Sequence, residues 1–331
     1  MRDVILTQHE QIPRSLDLNS NIKIAGEFDS IILAGLGGSG HPGDLINALG
    51  ISYKPLYVHR NYDLPLGYLQ HMGLTKPLAI ISSYSGNTEE ALSAYEAARQ
   101  AGLQILISSS GGKLAELAER DDVPAAKIGF LGMQPRHTLF AAFTGIYAAL
   151  KNNGLVEDIT SALLRVAGVL KSETPQLEEI GEKLADNIKG KVPVFISSDT
   201  LGFAAKNFKI QTNENAKYPA FWNTFPELNH NELVGFSKLK EKNLPHHFIA
   251  VILRSSDDHP RVQTRMDVTA QLYEEWGAHV EQINVLGATV IEKLFRATIL
   301  GLWTTYFLAR AYNIDPVPVA GVEDFKKRLK K

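Results

Sequence analysis

Along the chain, short unbroken apolar runs alternate with longer segments whose apolar residues recur at helical spacing. The first pattern fits strands buried on both faces, and the second fits helices laid over them. In the first half, residues 31–35, 55–59, 78–83 and 103–108 are the predicted strands. Residues 42–49, 88–101 and 113–119 are the helices between them. A helix over 137–152 closes this half, and Asn152-Asn153-Gly154 stops it. A polar helical stretch over 172–189 leads into the second half. There 192–197, 248–254 and 279–284 are predicted strands, and 201–216, 261–276 and 288–311 are predicted helices. Strands alternating with helices imply parallel sheets. The expected fold class is therefore α/β, with two doubly wound domains over residues 1–153 and 154–331, each a parallel sheet flanked by helices.

Length agrees with this division, since 331 residues suit two domains of about 150 residues each better than one core. Hydrophobic residues make up 44% of the chain, enough for two buried sheets. The net charge is −2 and no long basic stripe occurs, which argues against nucleic acid as a partner. There is no cysteine, which excludes disulfides and thiolate chemistry and fits a reducing compartment. The opening residues have no apolar run of signal-peptide length, and no stretch of about 18 apolar residues is present to span a membrane. The most apolar helix candidate, 297–311, contains Thr304, Thr305 and Arg310 and reads as a buried helix. A cytoplasmic protein is expected.

Two loops carry candidate chemistry. Gly35-Leu36-Gly37-Gly38-Ser39-Gly40 follows the first strand and precedes a helix. Glycines let backbone approach a ligand, and a helix start offers N–H groups and the positive end of a dipole. The run also fits the dinucleotide pattern G-x-G-x-x-G. That reading calls for an acid about 20 residues on, whereas the second strand ends at His59-Arg60. Arg60 could meet a 2′-phosphate, so a nicotinamide site stays open as a rival. The second loop, Ser82-Ser83-Tyr84-Ser85-Gly86-Asn87-Thr88-Glu89-Glu90, opens the helix after the third strand. Its several hydroxyls beside fresh helix N–H groups suit the oxygens of a phosphate monoester. The plain alternative is a helix cap by Thr88. A cap needs one hydroxyl, and S-x-S-x-x-T supplies three.

These two loops resemble the sugar isomerase (SIS) domain. Further segments narrow the likeness: Arg60-Asn61-Tyr62-Asp63-Leu64-Pro65, Gln134-Pro135-Arg136, Asn213-Glu214-Asn215-Ala216-Lys217 and Phe225-Pro226-Glu227-Leu228-Asn229-His230-Asn231-Glu232. Together they resemble the bifunctional phosphoglucose/phosphomannose isomerases of archaea and some bacteria. The resemblance implies two SIS domains, a homodimer with shared sites, and isomerisation of glucose 6-phosphate or mannose 6-phosphate to fructose 6-phosphate. It implies a phosphate loop of Ser83, Ser85 and Thr88, with Gly38 and Ser39 against the sugar. Arg136 would stand beside the reacting carbons, Glu214 would be the base and His230 would assist ring opening. A lysine near the C-terminus belongs to the same site, and Lys326 fits best, with Lys327 adjacent. His137-Thr138 departs from the smaller apolar residues expected after the arginine.

The chemistry accounts for those residue types. Aldose–ketose isomerisation through an enediol needs one carboxylate to take and return a proton, a cation near the developing oxyanion, and an acid–base group for ring opening. No metal and no cofactor are expected, because the histidines show no ligand spacing with an acid cluster. Alternatives remain. Glu214 could be a solvated helical carboxylate and His230 a structural histidine. Arg136 could merely pair with an acid, and Glu227 and Glu232 are rival bases. A sensor that binds sugar phosphates without chemistry would keep the phosphate loop and dispense with Glu214 and His230. Another SIS-type isomerase or epimerase is a further possibility.

Overall fold

The structure is a computed structural model and describes residues 1–237 and 244–329. Its contacts gather into two units. The N-terminal unit is Thr7–Val169, and the C-terminal unit is Met1–Leu6 together with Leu170–Lys331.

In the N-terminal unit, β1 (Ser30–Ala34), β2 (Leu56–His59), β3 (Pro77–Ser82), β4 (Ile105–Ser109) and β5 (Ala125–Lys127) form one sheet in the order β2-β1-β3-β4-β5. Every pairing is parallel. β1, β3 and β4 are buried at every position, because helices cover both faces of their sheet. The helices of this unit are α2 (Gln11–Leu18), α3 (His41–Leu49), α4 (Leu66–His71), α5 (Glu89–Gln100), α6 (Gly112–Arg120) and α7 (Leu139–Asn152). α7 is buried from Leu139 through Leu150. One side of the sheet packs Ile32, Ala79, Ile81 and Ile107 against Tyr95 and Leu114.

In the C-terminal unit, β6 (Val192–Ser198), β7 (Phe221–Phe225), β8 (Phe248–Arg254) and β9 (His279–Asn284) form a second all-parallel sheet, ordered β7-β6-β8-β9. Its helices are α9 (Gly202–Asn215), α10 (Glu232–Phe236), α11 (Pro260–Glu275), α12 (Val290–Ala311) and α13 (Ala320–Leu329), with α1 (Arg2–Leu6) added from the N-terminus. When β6–β9 are set beside β1–β4, the strand order is the same. The chain thus repeats one doubly wound topology, as expected from its alternating pattern.

The long helix α8 (Thr160–Ile188) contains the division between the units, which falls at Val169 and Leu170. That lies later than the stop at Asn152-Asn153-Gly154, which does end α7. Residues 155–169 stay with the N-terminal unit: Leu155 and Val156 are buried, and Ser52 bridges to Val156. Met1–Leu6 joins the C-terminal unit because Arg2 makes a two-pronged pair with Glu178, at 2.9 and 3.0 Å, and lies over the Trp303 ring. The expected boundary of 1–153 and 154–331 therefore differs from the compact units at both ends of the first domain.

The segment over 297–311 is a buried helix within α12. Thr304 and Thr305 donate to the carbonyls of Leu300 and Gly301, each at 2.8 Å, which satisfies their hydroxyls inside the core. No helix among the described residues is long and apolar enough to cross a membrane.

Candidate active site

In a sheet ordered this way, the strand order reverses between β1 and β3, and ligands bind outside the strand C-termini at that switch. Both predicted loops flank it: residues 35–40 follow β1 and residues 83–88 follow β3. They also touch, since the Ser39 hydroxyl accepts from the Tyr84 backbone N–H at 3.1 Å. Ser83 is buried, Thr88 half-buried and Ser85 exposed. The Ser83 and Thr88 hydroxyls are 2.8 Å apart. Thr88 stands at the N-cap of α5, yet its side chain makes no cap hydrogen bond. The plain capping role is therefore not what its hydroxyl does. It turns toward Ser83 and joins a hydroxyl pair at the mouth of a helix, an arrangement suited to an anion.

The loop is braced from behind. Gly86 has φ +67°, and an added Cβ there would stand 1.9 Å from the Gly111 carbonyl oxygen. The Asn87 side chain accepts from the Lys113 N–H at 3.0 Å and donates to the Ser85 carbonyl at 3.0 Å. Gly86→Ala is expected to cost about 1–3 kcal/mol of stability through left-handed strain and overpacking, read as a fall in the denaturant midpoint. An unchanged midpoint would show that the loop yields without strain.

Arg136 joins the same cluster. An added Cβ at Gly38 would meet the Pro135 carbonyl and the Arg136 nitrogen at 3.3 Å, so the glycine turn and the arginine turn lie backbone to backbone. Arg136 is buried on the short 3₁₀ turn Pro135–His137, and its guanidinium reaches the Gln134 side chain at 3.4 Å. Gln8 and Gln11, both buried, donate to the His137 carbonyl at 2.9 and 2.7 Å. Gln11 also accepts from the Ala141 N–H at 3.0 Å. Thr138 donates to the Pro135 carbonyl at 2.9 Å. His137-Thr138 is thus accommodated: both residues are buried, and their polar atoms fix the turn. The two glutamines escaped sequence reading, because their partner lies more than a hundred residues away. Arg60 pairs with Asp44 at 2.5 Å and reaches the Gly40 carbonyl at 3.4 Å, so it ties β2 to the glycine turn.

The remaining predicted site residues lie in the C-terminal unit. Glu214 is half-buried on the last turn of α9. Its neighbours have structural tasks. Asn207, Gln211 and Asn215, four residues apart, form one face of α9 and bond Thr298 and Thr305 of α12. Asn213 donates to the Tyr218 carbonyl at 2.8 Å, and Lys217 to the carbonyls of Asn215 and Asp315 at 3.2 and 2.7 Å. A helix C-terminus disfavours negative charge, so local helix stability does not explain a glutamate there.

His230 ends a 3₁₀ turn, Glu227–His230, and is exposed. Its flanking residues hold the loop. Asn229 bonds Thr269 at 2.9 Å and accepts from Arg265 at 3.2 Å. Asn231 donates to Glu227 at 2.7 Å and accepts from the Glu232 N–H at 2.6 Å. Glu232 accepts from Asn223 at 3.0 Å, and burial pushes its carboxyl above the usual range, with the Asn223 bond opposing. Glu227 and Glu232, the rival bases, are thus both engaged in shaping this loop. Lys326 is exposed on α13 and pairs with Glu323 at 3.1 Å.

Glu214 and His230 do not share an end of their sheet. β6 and β7 are parallel, so α9 runs back between them and brings Glu214 to the edge where β7 begins. His230 lies just past the edge where β7 ends. Five residues of strand set these edges about 16 Å apart.

Residues 177–329 match the model of the bacterial phospho-glucose isomerase C-terminal SIS domain. A bifunctional phosphoglucose/phosphomannose isomerase from Caldicellulosiruptor bescii is 34% identical over 97% of this chain and 96% of its own. A D-glucosamine-6-phosphate 4-epimerase from Sulfolobus acidocaldarius is also 34% identical, over 69% of each chain. Among solved structures, tagatose-6-phosphate ketose/aldose isomerase from Escherichia coli shares the fold with a TM-score of 0.68 at 18% identity, covering 95% of this chain and 93% of that one.

Proposed function

Because this chain belongs to the bifunctional phosphoglucose/phosphomannose isomerase family, we propose that it interconverts glucose 6-phosphate and mannose 6-phosphate with fructose 6-phosphate by proton transfer. The observation that carries the substrate class is the hydroxyl pair of Ser83 and Thr88 at the mouth of α5, with Thr88 released from capping. Ser83, Ser85 and Thr88 hold the phosphate, and the Gly38-Ser39 backbone lies along the sugar. His230 moves the proton that opens the ring. Glu214 takes the proton from C2 of the aldose and returns it to C1, while the hydroxyl proton passes from O2 to O1, which yields the ketose. The Arg136 guanidinium stabilises the enediolate oxygen between these steps. Lys326 completes the set. Neither a metal nor a cofactor enters this scheme. A coupled assay for fructose 6-phosphate formation, run with each aldose phosphate and a chelator, tests it. No turnover of either substrate would overturn it.

The working unit in this reading is a cytoplasmic homodimer in which His230 serves the partner's site. The separation of Glu214 and His230 along β7 supports sharing, since the ring oxygen and C2 lie on one sugar. α13 supports it as well. This helix buries no side chain, although Val322, Phe325 and Leu329 recur on one face, and so short an amphipathic helix gains its stability from packing. Mixed and refolded Glu214→Gln and His230→Ala subunits should regain about a quarter of wild-type activity, from two-fold heterodimers with one intact site. An active monomer in sedimentation would refute the shared site.

The relative from Sulfolobus acidocaldarius gives a second reading, 4-epimerisation of D-glucosamine 6-phosphate. Product analysis after incubation with that sugar separates it from isomerisation.

A further inference from the structure

The loop that follows β8 holds the place in the second sheet that the phosphate loop holds in the first. Its own anion position is already filled. Asp258 is buried, accepts from the Ser255 backbone N–H at 2.8 Å and accepts from the Ser198 hydroxyl. Beside it, at the C-terminal ends of β8 and β9, opens a pocket of about 680 Å³. That volume lies within the range of small-ligand sites.

The charge distribution of this pocket is lopsided. Arg254 and Lys293 line it, and no acidic residue does among the described residues. Lys293 is 2% exposed and donates to Ser255, Ser256 and Asp257 at 3.1, 2.9 and 2.7 Å. Arg254 donates to Gln282 at 2.6 Å and to Asp267 at 2.5 Å. The carboxylates that balance these cations sit outside, with Asp257 46% and Asp267 56% exposed. Cations in the lining, with their acids outside it, leave a positive interior. An entering dianion that met both cations would take the place of these exposed carboxylates beside Arg254 and Lys293. Ser255 and Ser256 add hydroxyls suited to phosphate oxygens. The carboxamides of Gln282 and Asn284 both donate and accept, which is what sugar hydroxyls require.

We propose that this pocket is a second binding site for a phosphorylated sugar, held by Arg254, Lys293, Ser255 and Ser256 at the phosphate and by Gln282 and Asn284 at the hydroxyls. It shares no residue with the catalytic set and lies wholly within the C-terminal unit. Its occupant is a phosphate monoester of a polyol, recognised independently of the isomerase site.

Titration calorimetry of the full chain with fructose 6-phosphate and with inorganic phosphate tests this. Two binding events per chain are expected with the sugar phosphate. Ser85→Ala/Thr88→Ala should keep one of them, and Lys293→Met in that background should weaken the survivor at least about tenfold, the loss of one charge-assisted contact. Arg254→Gln serves the same purpose should Lys293→Met not fold. Inorganic phosphate should bind the surviving site more weakly than fructose 6-phosphate, and sorbitol should not bind it. The proposal falls if the folded Ser85→Ala/Thr88→Ala chain binds no fructose 6-phosphate, or if neither pocket substitution weakens what remains. Because that arm is read with the first site disabled, its result stands whether or not the isomerase assignment does.

Discussion

Glu214→Gln should lower turnover by about 10²–10⁴, the contribution of a positioned general base, while KM stays close to that of the wild type. The amide keeps the size of the side chain and removes its capacity to take a proton. The scaffold of the site should survive, because the end of α9 is held by other residues: Asn213 on Tyr218, Asn215 on Thr305, and Lys217 on Asp315. A loss confined to kcat marks a group that acts in the transition state. In deuterated water the wild-type enzyme should place deuterium at C2 of the aldose, since the enediol route passes that proton through an exchangeable carboxylic acid. Near-normal turnover in Glu214→Gln would move the base to Glu227, which is exposed and accepts from Asn231 at 2.7 Å.

The second large effect is expected at the proposed phosphate loop. Ser85→Ala/Thr88→Ala removes two hydroxyls proposed to donate to a dianion, each such bond worth about 1.5–3 kcal/mol. Inhibition by 6-phosphogluconate should then weaken by about 10²–10⁴. Inhibition is the right measure, because it reads the catalytic site alone. Part of the effect at Thr88 is structural, since its hydroxyl lies 2.8 Å from that of Ser83. A neutral hydrogen bond contributes only about 0.5–1.5 kcal/mol to stability, so a denaturation curve measured in parallel separates the two parts. An unchanged inhibition constant would remove these hydroxyls from the site.

The central strands were legible from the sequence for a definite reason. A parallel strand covered on both faces must be apolar at successive positions, so β1, β3, β6 and β8 stand out as runs. β8 and β9 appear over the very residues expected. The two loops of the first sheet were equally legible, because glycines and hydroxyls at a strand-to-helix turn are local chemistry. Edges were not. β5 has three residues, and β7 reads Phe-Trp-Asn-Thr-Phe between prolines, with Phe221 and Trp222 exposed. A strand paired on one side only needs no continuous apolar run. α2 was missed as well, although its Gln11, together with Gln8 just before it, fixes the turn that carries Arg136.

The sequence by itself determined the fold class, the alternation of strands and helices in both halves, and the residue types that the chemistry requires. Each of these follows from short-range periodicity or from the side chains within one turn. Tertiary structure alone decided the rest. It carried Met1–Leu6 into the C-terminal unit through Arg2 and Glu178, moved the division between units into α8, and turned the Thr88 hydroxyl from its own helix toward Ser83. It also set Glu214 and His230 at opposite ends of β7. Where the partners lie far apart in the chain, as Arg2 and Glu178 do, only folding decides which of them meet.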